Sequence, residues 1–188
     1  MKKARLLASL GAAGALALGG LAISAAPAFA ASSTMNGTTH CDLSDPTCAS
    51  ASGPILTGPP PPGVTLPANC PAFLSTDNWQ LAFVAGNSVS HGTINKNGDW
   101  GGGTATGTAT LVDGNVVEYS GQATEWGGGG QNSNPGGMPT QQSMNGFTVH
   151  FHGSGPAGSI DIHINQHMTT NNANVPTANQ LNVNVTCS

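Results

Sequence analysis

Charge is scarce in this sequence. Asp, Glu, Lys and Arg together make up 6% of its 188 residues, and the basic ones number four. Three of those, Lys2, Lys3 and Arg5, precede an apolar run from Leu6 to Ile23 that leads to Ala28-Phe29-Ala30. Basic residues, an apolar stretch and a small-x-small site in that order spell a secretory signal peptide over residues 1–30, with cleavage expected after Ala30. Cleavage leaves Lys96 as the sole base against eight carboxylates, a net charge of −7 with the histidines neutral. A chain with so few cations cannot displace counterions from phosphate, which argues against a nucleic-acid partner and against anionic membrane surfaces. No second apolar run reaches membrane length and no cysteine lies just after the cut, so lipid anchoring there is not expected. The mature protein is therefore expected to be secreted, released or loosely associated with the cell envelope.

Other machinery is also missing. There is no G-x-S-x-G elbow and no H-E-x-x-H helix, so hydrolase chemistry has no obvious carrier. Glu118 and Glu125 differ by an odd number within one expected strand, which sets them on opposite faces unless Gly121 bulges, and paired-carboxylate glycosidase chemistry is thereby disfavoured. Gly153-Ser-Gly155-Pro-Ala-Gly158 satisfies G-x-G-x-x-G letter by letter. A dinucleotide site needs a helix after that motif, whereas here the next residues alternate as a strand. Helical periodicity of useful length is absent throughout.

What remains is period two. Runs of Val, Ile, Thr and aromatic residues separated by Gly and Asn fall at 78–84, 88–94, 103–112, 115–125, 145–152, 159–168 and 181–187. About seven strands in sequence predict a single antiparallel all-β domain from Cys70 to Ser188, a sandwich or a small meander barrel. Asp113-Gly114 is expected to turn the third strand into the fourth, and the Gly-rich stretch 127–137 to form a mobile surface loop. Ahead of the domain, Ala31 to Asn69 is rich in Ser, Thr, Gly and Pro and reads as a flexible, disordered arm. Four cysteines in an exported chain imply two disulfides. The expected pairing closes a small loop with Cys41–Cys48 and ties the domain's ends with Cys70–Cys187.

One hairpin carries chemistry. In its first arm Phe147, Val149 and Phe151 alternate with Thr148, His150 and His152; in its second Ile160, Ile162 and Ile164 alternate with Asp161, His163, Asn165 and His167. Any register that stacks the apolar residues gathers His150, His152, Asp161 and His163 on the opposite face. Residues i and i+2 on one face lie about 6.5–7 Å apart and cross-strand neighbours about 5 Å apart, so the imidazoles can converge on one ion, with His167 a step away. That ligand set suits zinc or copper, and with open positions manganese or iron. A polar outer face in a lysine-poor protein would look similar without any metal.

Trp79, Trp100 and Trp126 fall near strand ends beside glycine-rich turns. Buried, they pack a core; exposed, they stack on sugar rings. Two of them exposed on one surface would favour a glycan-binding module over the metal site. The functional expectation is a secreted, non-enzymatic β domain with an extracellular binding or cell-surface structural role, with metal binding at the histidine hairpin. The alternatives are a metalloenzyme using the same cluster and a glycan binder using the tryptophans.

Overall fold

The alternating stretches become strands of one antiparallel sheet. The computed structural model describes residues 35–45, 47–48, 53–95, 98–132, 142–171 and 176–188; the expected signal peptide lies outside them. Strands β3 (Trp79–Asn95), β4 (Gly98–Asp113), β5 (Val116–Asn132), β6 (Gln142–Gly155), β7 (Gly158–Thr170) and β8 (Pro176–Cys187) follow one another across the sheet in chain order. Beyond β3 lies β1 (Met35–Asp42), and the two-residue β2 (Leu56–Thr57) pairs with β3 as well. The architecture is the expected all-β antiparallel meander.

Two tight turns among the described residues help to set its register. Asp113 pairs with Val116 around Gly114-Asn115, with Gly114 at φ 59°, so the turn sits one residue later than Asp113-Gly114 implies. Gly155 pairs with Gly158 around Pro156-Ala157, and Gly158 takes φ 116°, a conformation that favours glycine. Each turn joins strands whose side chains must alternate in step, because slipping by one residue would send a whole strand's apolar set to the wrong side.

The apolar side chains of β3 to β7 meet on one face. Leu81, Leu111, Tyr119, Val149, Phe151 and Ile160 are fully buried, with Trp79, Ala105, Ala109, Ala123 and Ile162 around them. Phe151 lies opposite Ile162 and Val149 opposite Ile164, so the parity expected of the hairpin holds. Cys70 bonds to Cys187 and Cys41 to Cys48, with Cα separations of 5.1 and 5.7 Å, normal for disulfides. Glycines on the core face, such as Gly121 beside Gly153, stand where strands approach too closely for a side chain. A Cβ on Gly121 would come 2.5 Å from the Gly153 Cα.

Three expectations need correction. Part of the segment expected to be a free arm is built into the fold: β1 and β2 lie within it, and Leu43, Cys48, Ile55 and Leu56 are buried in the core. Its apolar residues are isolated rather than periodic, and its strand pairs through backbone and the Cys41 anchor, so no alternation marks it. The runs at 78–84 and 88–94 are a single strand, β3, which accommodates an irregularity between Phe83 and Ala85 instead of turning. Gly127–Asn132, expected as loop, continues β5 and pairs with both β4 and β6; residues 133–137 of that expected loop lie outside the described residues. Glycine weakens an isolated strand, but two flanking strands supply the ladder that holds this one.

A buried carboxyl titrates unusually. Glu125, 5% exposed, projects onto the core face between Ala105 and Val149. Burial pushes its carboxyl up from the ordinary 4.5 to about 7. Between those values the folded chain holds a proton that the unfolded chain has released. The associated stability is therefore fully present below about pH 4.5 and lost as pH rises through about 7, on the order of 3 kcal/mol. Glu125→Gln should accordingly unfold at higher urea than the parent at pH 8, with the gap closing at pH 5. A gap of equal size at both values would contradict this account.

Candidate binding face

Cross-strand partners share a face, so the register lays the other side of the sheet out as a grid. One row runs Thr108, Gln122, His152, Asp161, and the next Thr106, Thr124, His150, His163. A third holds Val89, Thr104, Trp126, Thr148 and Asn165; a fourth His91, Gly102, Gly128, Gly146 and His167; a fifth Thr93, Trp100, Gly130, Met144 and Thr169. The histidine cluster and two tryptophans thus occupy a single surface. Sequence alone does not place them together, because they lie on different strands whose relative register is not readable.

The fourth row is a trough. Gly102, Gly128 and Gly146 adjoin on three neighbouring strands, and His91 and His167 close the row at its ends, four strand spacings or about 19 Å apart. Trp126 rises on one side and Trp100 with Met144 on the other, around an open volume of about 510 Å³. The indoles lie over glycine rather than standing clear. A Cβ at Gly146 would come 2.9 Å from Trp126 Cζ3, one at Gly128 would come 3.2 Å from its Cζ2, and one at Gly130 would come 2.6 Å from Trp100 Cδ2. Glycine is what lets each ring settle onto the sheet. Trp100 is 39% and Trp126 46% exposed, so each ring still offers surface to solvent.

Trp79 belongs elsewhere. It is 6% exposed, packs in the core, and donates from Nε1 to the Leu74 carbonyl at 2.9 Å. It cannot contact an external ligand, so two of the three candidate tryptophans remain.

The histidines assemble as the pleat requires, with one exception. His150 and His163 face each other across strands with ring centroids 5.8 Å apart, edge to face. His152 Nδ1 lies 2.9 Å from Asp161 Oδ1, and His150 Nε2 lies 3.9 Å from the same oxygen. His167 is two rows away, at the end of the trough. Among the described residues, no three His, Cys, Asp or Glu side chains are gathered in a group able to hold a metal ion. As placed, Asp161 is engaged with His152 rather than turned toward the His150–His163 pair.

The acids near β1 are satisfied locally. Asp42 Oδ1 accepts from the Ser44 hydroxyl and amide, and Asp45 Oδ1 from the Thr47 amide and hydroxyl, at 2.7–2.9 Å. Those bonds lower both carboxyl pKa values and account for the two residues as turn formers.

No family model matches this chain, and neither does any curated protein or solved structure. The reading of the face therefore rests on its own geometry. If glycine seats the Trp126 ring, Gly146→Ala should lift it: tryptophan emission should shift to the red and iodide quenching should rise. Gly37→Ala, where a Cβ meets nothing within 4 Å, is the matched control and should leave both unchanged. Identical spectra for the two variants would remove the glycine seat from the account.

Proposed function

We propose that the mature chain is an exported, non-enzymatic binding module that adsorbs to uncharged polysaccharide outside the cell through the tryptophan-walled trough. The observation that carries this reading is the pair Trp100 and Trp126, both exposed on one face and both lying over glycine. A pyranose ring presents a patch of C–H groups on its flat side, and a fixed indole buries that patch at little entropic cost. Threonine, asparagine and histidine side chains around the trough supply donors and acceptors for the hydroxyls. Among the described residues the trough's lining contains no Lys, Arg, Asp or Glu, which favours a neutral glycan over a charged one. The two disulfides suit an oxidising, extracellular setting.

The test is retention. The parent should sediment with insoluble cellulose or chitin, and soluble oligosaccharide of the same kind should release it. Trp100→Ala and Trp126→Ala should each weaken retention roughly 5- to 30-fold, about 1–2 kcal/mol. Val116→Ala, another exposed apolar residue, should not. Retention that survives loss of both indoles would refute the proposal.

The histidine pair supports a second reading, binding of zinc or copper. With a metal–nitrogen bond of about 2.0 Å, two imidazoles on one tetrahedral ion hold their centroids about 5 Å apart, and His150 and His163 stand at 5.8 Å. Asp161, turning from His152, would be the third ligand; His152 is its alternative. Stoichiometric zinc or copper retained by the parent and lost in a His150→Ala/His163→Ala double variant would support the site. Substoichiometric metal in the parent would rule it out. Because imidazole binds metal only when deprotonated, acidification should release the ion.

A further inference from the structure

The strand path ends at β8, and its outer edge has no strand beside it among the described residues. Which backbone groups point there follows from the ladder. Ser159 and Ser188 exchange both hydrogen bonds, N to O in each direction, at 2.7 and 3.0 Å. Such pairs alternate with open ones along an antiparallel ladder. The register from β7 is unbroken through Met168–Asn179, so Gln180, Asn182, Asn184 and Thr186 direct their backbone groups inward to β7. Leu181, Val183, Val185 and Cys187 direct theirs outward. Asn69 Nδ2 donates to the Cys187 carbonyl, and the Cys70 disulfide lies beside it, so that end of the edge is covered. The outward groups of Leu181, Val183 and Val185 have no such cover among the described residues.

This edge lacks the usual protections. No Asp, Glu, Lys or Arg occurs anywhere after Asp161, and the strand holds no proline beyond Pro176 at its first position. The same three side chains form an apolar row along the edge on the core face, with Val183 beyond Val149 and Ile164 and Val185 beyond Phe151 and Ile162, yet Leu181 is exposed and Val183 and Val185 only partly covered. Whatever pairs here must satisfy the backbone and extend that apolar row together.

We propose that β8 pairs antiparallel with β8 of a second copy of this chain about a twofold axis, making one continuous sheet. A second β8 meets both requirements: its free groups fall on the same alternate residues, so odd-numbered positions meet odd-numbered positions and the two Leu181/Val183/Val185 rows abut. Being uncharged, identical edges do not repel one another despite the net charge of the molecule.

Light-scattering mass of the mature chain should move from one copy to two as concentration rises. Hydrogen exchange should show amides 182 and 184 protected at all concentrations, and amides 181, 183 and 185 protected only in the dimer. Val183→Pro removes an outward N–H without breaking a bond to β7 and should hold the protein at one copy. Val183→Lys should do the same by placing a charge in the joint, which covers the case in which the proline variant fails to fold. A parent that stays monomeric overturns the proposal, as does a mass that climbs past two copies, which would mean head-to-tail pairing. Dimers that persist in folded Val183→Lys, or odd amides protected in the monomer, overturn it too.

Discussion

Everything described here depends on the antiparallel ladder holding one register across strands of up to 17 residues. Tight turns fix that register locally, and the buried face built from Leu81, Leu111, Tyr119, Phe151 and Ile162 enforces it globally. Once it is fixed, the opposite face has no freedom: His150 must stand beside His163, and Trp126 must share its face with the histidines. The polar face is a consequence of the oily one, and a slip by one residue would destroy both.

Glycine performs a second task that the hydrophobic pattern does not reveal. On the core face a Cβ at Gly153 would sit 2.8 Å from Phe151 Cε1; on the outer face Trp126 lies over Gly128 and Gly146, and Trp100 over Gly130. In each case an aromatic ring covers backbone that has no side chain of its own, the arrangement by which aromatics compensate glycine in sheets. Inside, the result is a packed core. Outside, where nothing covers the ring in turn, it is a flat apolar platform, and that difference separates the buried Phe151 from the half-exposed indoles.

How much of this was legible follows from range. The hairpin of β6 and β7 is local: its alternation and its Gly-Pro turn are contiguous, so the face of each histidine could be read directly. The two disulfides followed from the cysteine count and the expectation of export. The indoles were not legible, because Trp79, Trp100 and Trp126 look alike in sequence and only long-range packing buries the first. His167 looked like a neighbour of the cluster on parity, but parity names the face and not the distance along it. The arm and the glycine run depart from expectation for one reason. Local propensity describes an isolated segment, while β1 and Gly127–Asn132 owe their structure to strands remote in sequence.

The trough and the free edge also bear on each other. Cross-strand partners share a face in any antiparallel pair, so a twofold joint at β8 would set both troughs on the same side of one sheet. Two shallow sites held in one plane suit a repeating, immobile ligand better than a soluble one. After the first site engages, the second meets a ligand already at high effective concentration, and the pair can hold where a single trough would let go. Under the proposed reading, a weak platform of two indoles would then suffice for adsorption to an extended surface, without a deep pocket or a charged lining.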